Sequence, residues 1–111
     1  MIGEIGGLPT RILQAPEAVR VGEEFIVTVT TLTGGRIVPN GAEVRVHELA
    51  AEITPYDRIL TGTGWYVDRQ VLSPHEVRLQ FNSPGLATIR VIGVNQTGER
   101  AIVESQIVVH P

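Results

Sequence analysis

Three histidines, His47, His75 and His110, and twelve carboxylates are the side chains with which this chain could hold a metal ion or move a proton. No two of the histidines stand at a ligand spacing, so each reads as a lone residue. His47 falls on the outward side of its strand with Glu43 on the same side, the position of a surface histidine. Calcium requires several convergent oxygens, and Asp57, Asp68, Glu76 and Asn82 could be gathered only by folding, since no spacing demands it. There is no cysteine, which removes disulfides, thiolate metal sites and cysteine nucleophiles together. Ser73, Ser83 and Ser105 lack the context of a nucleophile elbow, and Ser105 is expected to face the core between Val103 and Ile107. Pro55-Tyr56-Asp57-Arg58 reads as a turn, because proline with aspartate is ordinary turn chemistry. Paired carboxylates for glycoside hydrolysis can lie far apart in sequence, and nothing here points to them. The expectation is no catalytic residue, no metal and no cofactor.

What stands above background is apolar mass outside regular periodicity. Ile37-Val38, Ile59-Leu60, Trp65-Tyr66-Val67 and Val71-Leu72 lie in segments that read as loops, and the mean hydropathy of +0.13 agrees with that excess. Left exposed, such residues mark an interface; folded back, they close the open end of a core. Trp, Tyr and Arg are favoured at interface centres, and Arg58, Trp65, Tyr66 and Arg69 are close in sequence. The candidate partner-binding residues are therefore Ile59, Leu60, Trp65, Tyr66 and Arg69.

The elements that must position them are strands. At 111 residues the chain is expected to be one domain, residues 1–111, with a core of its own. In residues 87–94, Ile89 and Val91 alternate with Thr88, Arg90 and Ile92. After a turn at 95–98, Val103, Ser105, Ile107 and Val109 alternate with Glu104, Gln106 and Val108, which makes a β-hairpin. Earlier strands are expected at 10–14, 24–31 and 42–49, with extended chain at 19–21, with 50–54 either strand or helical turn, and with a further strand at 75–82. Residues 56–74 hold no single period, and part of this stretch, about 64–72, is expected to return as an irregular strand. The predicted core is Phe25, Val27, Val29, Val44, Val46, Val77, Leu79, Phe81, Ile89, Val91, Ile107 and Val109.

Charge narrows the partners. A net charge of −3 argues against nucleic acid and anionic lipid, and no stretch approaches the length of a membrane helix. All nine basic residues are arginine. Lysine is the usual guard on exposed strand edges, so this chain must protect its edges by other means or leave one open.

The series Ala15-Pro16-x-x-Val19-x-Val21-Gly22-Glu23-x-Phe25-x-Val27-x-Val29, then Pro84-Gly85-x-Ala87-Thr88-Ile89-x-Val91, then a closing Ile107-Val108-Val109, resembles bacterial immunoglobulin-like domains over most of the chain. The resemblance implies an all-β, antiparallel sandwich of about seven strands. It also implies a non-catalytic spacer, adhesin segment or assembly module on an exported protein, extracellular or at the cell surface. The first residues have no signal-peptide pattern, so an exported form would carry its leader upstream. No cysteine pair flanks a central tryptophan, and Leu86-Ala87 stands where many relatives place an aromatic residue. The function expected is a structural or protein-interaction module that binds itself or a neighbouring domain through its apolar loops or an open strand edge. The alternative is a small glycan-binding module that uses Trp65 and Tyr66 as its platform.

Overall fold

A computed structural model describes residues 1–5, 12–35, 37–59 and 67–111, with the backbone alone considered at 34, 35 and 67–71. The described residues are all-β: β1 (Leu13–Gln14), β2 (Ala18–Arg20), β3 (Glu24–Gly35), β4 (Ile37–His47), β5 (Ala50–Ile59), β6 (Val67–Gln80), β7 (Gly85–Val94) and β8 (Arg100–His110). They form a three-stranded sheet, β1-β3-β6, and a five-stranded sheet, β2-β8-β7-β5-β4. A 14-residue strand such as β6 extends about 46 Å at roughly 3.3 Å per residue, so the long strands lie along the 52 Å axis of the molecule.

The hairpin at the end of the chain forms as its alternation predicts, with Ile89 opposite Ser105 and Val91 opposite Val103. Ser105, opposite the buried Ile89, lies on the core-facing side and is half-buried. The clean period of residues 75–81 holds as well, and β3 and β6 pair in regular register from Glu24 and Gln80 as far as Gly34 and Gln70. Phe25 on β3 and Phe81, just past the end of the neighbouring β6, stack within the core at 5.9 Å between ring centroids.

Several expectations change. Among the described residues eight strands replace about seven, and the sheets are not wholly antiparallel, because β2 runs parallel to β8 and β5 parallel to β7. The ambiguous segment at 50–54 is strand, and Pro55 to Arg58 continues it instead of turning. Thr33-Gly34-Gly35 closes β3, Ile37-Val38 opens β4, and Val67 to Leu72 belongs to β6.

Val44 and Val46 are not core residues. They are 37% and 46% exposed. They lie opposite Ile53 and Ala51 in the β4–β5 ladder and so share the core-facing side with them. β4, however, is the outermost of five strands facing a sheet of only three, and the cover ends before it reaches them.

Residues 1–5 complete the core. The β5–β7 ladder ends at Ile53 and Val91, and the two strands separate beyond it. The N-terminal segment fills that fork: Gly3 N–H donates to the Pro55 carbonyl, Ile5 N–H to the Val94 carbonyl, and Val94 N–H to the Gly3 carbonyl. On its other side Leu32 N–H donates to the Glu4 carbonyl, tying β3 to the same segment. Ile5 is fully buried. Gly93 has no side chain because a Cβ there would stand 2.7 Å from Ile5 Cγ1 and 2.9 Å from the Gly3 carbonyl oxygen.

Candidate functional site

Of the residues singled out by type, the described structure places only some. Ile59 ends β5 and is 61% exposed, Leu72 on β6 is 41% exposed, and Arg69 lies within β6. Leu60, Trp65 and Tyr66 lie outside the described residues. Arg58 is exposed next to Ile59.

The polar residues that do meet are Thr31, Thr33, Asp57, Ser73 and His75, all buried. His75 Nε2 stands 3.0 Å from Asp57 Oδ1 and 3.1 Å from the Tyr56 carbonyl oxygen, while Nδ1 faces the Val29 carbonyl at 3.2 Å. An imidazolium would donate on both sides; the neutral ring donates on one. Thr31 Oγ1 donates to Asp57 Oδ1 at 3.4 Å, and the Ser73 and Thr33 hydroxyls share a hydrogen bond of 2.6 Å. The serine is thus bonded to a threonine and the histidine to carbonyl and carboxylate oxygens, an arrangement without the nucleophile-to-base link of an acyl-transfer site. Among the described residues no buried side-chain nitrogen or oxygen lacks a partner.

Parity is the signal that could have found this cluster. His75 precedes Val77, Leu79 and Phe81 at two-residue spacing, and Asp57 follows Ala51, Ile53 and Pro55 in the same way, so both continue buried rows.

Among the described side chains, the calcium candidates do not gather. Asp57 is committed to His75, Glu76 is exposed on the outer face of β6, Asn82 accepts a hydrogen bond from Gln80, and Asp68 lies near the start of β6. No group of three or more His, Asp or Glu is placed to hold a metal ion among the described residues. His47 and His110 are exposed.

What the fold does present is open strand edge. β4 ends the five-stranded sheet, and residues 43–48 are all exposed. Its first half is guarded by an irregularity in the ladder between Pro39 and Ala42, with Gly41 at φ 79°. The second half, residues 42–47, pairs regularly with β5, and among the described residues no strand pairs with its other side. On the opposite border β2 covers β8 only from Val108 to His110. Beside the remaining edge of β8 runs a groove of about 470 Å³, bordered by Ile12, Leu13, Pro16 and Val103 among others.

The outer face of the larger sheet carries an ordered row of charge. Arg45 lies opposite Glu52, Glu52 opposite Arg90, and Arg90 opposite Glu104, so the sign alternates across four strands. Arg90 reaches Glu104 at 3.0 Å and Glu52 at 4.0 Å, and Arg45 turns along its own strand to Glu43 at 2.9 Å. Tyr56 Oη donates to the second oxygen of Glu43 at 3.2 Å. Partial burial pushes the Tyr56 phenol above its ordinary value; the hydrogen bond to Glu43 and that carboxylate's charge push the same way, and Arg45 opposes them.

No protein-family model, curated protein or solved structure matches this chain.

Proposed function

We propose that this chain is a non-catalytic, immunoglobulin-like interaction module that associates with itself or a neighbouring domain through an open edge of its larger sheet. The observation that carries the reading is the second half of β4, an edge exposed at residues 43–48, with Val44 and Val46 projecting beyond the cover of the core. An uncovered edge of unpaired N–H and C=O groups is a template for another strand, and no lysine guards this one. The immunoglobulin-like part is supported by order: β1-β3-β6 corresponds to strands A, B and E of that fold, and the β7–β8 hairpin to F and G. The β4–β5 hairpin departs from it by joining β7 in parallel. The absence of catalysis is supported by the buried polar cluster, whose members bond one another beneath the sheets. Placement on an exported protein at the cell surface rests on the sequence resemblance alone.

Molecular mass measured by sedimentation equilibrium over a concentration series tests the reading. A mass that rises with concentration is expected. A monomer throughout, together with no binding to an adjoining domain of the same protein, would remove it.

A further inference from the structure

We infer that the partner of the β4 edge is the same edge of a second copy, paired antiparallel about a two-fold axis through Val44. This rests on the interaction-module reading above and specifies its occupant. The argument begins with parity. In an antiparallel pair, residues directly opposite share a face, so Glu43, Arg45 and His47 of one copy must meet outward residues of the other, and Ala42, Val44 and Val46 must meet core-side residues. Only registers that preserve both faces are admissible.

Placing Val44 opposite itself brings Glu43 against Arg45 of the second copy twice, once on each side of the axis, and puts Ala42 opposite Val46. Both outward contacts are then ion pairs and the core-side contacts are apolar. The next admissible register places Arg45 opposite Arg45, which like-charge repulsion disfavours. The chosen register also continues a pattern already present in each copy. The row Glu104, Arg90, Glu52, Arg45 alternates in sign up to the edge, and the next residue across the new interface is a glutamate.

Within one copy Arg45 finds its carboxylate by bending along the strand to Glu43. Across the axis the same two side chains meet face to face instead. Val44 and Val46, exposed beyond the three-stranded sheet, gain apolar neighbours from the second copy. A two-fold axis perpendicular to the sheet closes the contact on itself, so the product is a dimer with one ten-stranded sheet rather than a fibre. Six residues a side bury less than the ~1,200 Å² of a stable complex, which places this dimer at high concentration.

Charge reversal tests the register directly. Sedimentation equilibrium is run up to about 1 mM, the weak-affinity range, on wild type, on Glu43→Arg, on Arg45→Glu, and on an equimolar mixture of the two variants. Wild type is expected to dimerise, each variant alone to do so about tenfold more weakly or worse, and the mixture to recover, because the two reversals complement each other across the axis. Arg45→Glu also meets Glu52 in its own sheet, so Val44→Cys in an otherwise wild-type, cysteine-free chain provides a second reading. Oxidation of that variant is expected to give one disulfide-linked dimer, whereas Leu86→Cys, exposed on the outer face, should give little.

A mixture that fails to recover, an assembly larger than a dimer, or a Val44→Cys variant that does not cross-link overturns the β4–β4 pairing while leaving self-association standing. A wild-type chain monomeric at every concentration overturns the pairing and the self-association together.

Discussion

Asp57 and His75, 18 residues apart in sequence, meet at 3.0 Å with only 2% of either side chain exposed. The contact joins β5 of the larger sheet to β6 of the smaller one, and so links the two layers by polar chemistry where the rest of the core links them by apolar packing. Removing one member of a buried pair is costly because the other keeps its desolvation penalty. Asp57→Ala is expected to lower stability by about 3–5 kcal/mol, and Asp57→Asn, which retains an oxygen for Nε2, by less. Urea denaturation midpoints for the two variants check this. Equal losses would show that the amide oxygen does not replace the carboxylate in this contact.

Phe81 is fully buried and stacked on Phe25. Phe81→Ala should cost about 3–5 kcal/mol in the same assay, from lost transfer energy and the cavity left behind. By contrast Val44→Ala, at a site 37% exposed, should cost far less in the monomer. Similar losses at both positions would mean that β4 is covered after all.

The N-terminal segment offers a steric test. A Cβ on Gly3 would stand 2.5 Å from Thr31 Cγ2 and 3.0 Å from Asp57 Oδ2, and both neighbours are buried. Gly3→Val should therefore lower stability by about 1–3 kcal/mol, the usual range for overpacking. Amide exchange should rise at Leu32 and Val94, whose N–H groups donate to this segment. Unchanged protection there would show that residues 1–5 do not occupy the fork in solution.

Tyr56 carries the pH dependence. Its phenol is held above its ordinary value of 10.0, mainly by partial burial and then by Glu43. A group whose pKa is raised on folding contributes stability fully present below its unfolded value and lost as pH rises through the folded one. The contribution should thus persist below pH 10.0 and fall away above it, and Tyr56→Phe should abolish that part of the profile. With two tyrosines in the chain, ultraviolet titration of wild type and of Tyr56→Phe assigns the late phase. A Tyr56 phase at or below 10.0 would contradict the Glu43 contact.

Much of the fold is written locally. Two-residue alternation in 24–31, 75–81, 87–94 and 101–109 specifies strands and inward rows, because side chains of a pleated strand must take opposite faces. Phe25, Val27, Val29, Leu79, Phe81, Ile89, Val91, Ile107 and Val109 are buried accordingly. Missing cysteine and the scattered histidines are equally legible, since motif chemistry depends on spacing. Tertiary structure alone decided which inward faces are covered. Val44 and Val46 share their alternation with Val77 and Leu79, and both pairs lie on strands that end a sheet, yet only Val77 and Leu79 are buried. The same holds for Asp57 and His75, which parity places inward but which only the packing of β5 against β6 makes partners. The charge row from Arg45 to Glu104 likewise exists only through register between strands distant in sequence. Periodicity records which residues share a face; what lies opposite that face depends on sheet order, and sheet order is a property of the whole chain.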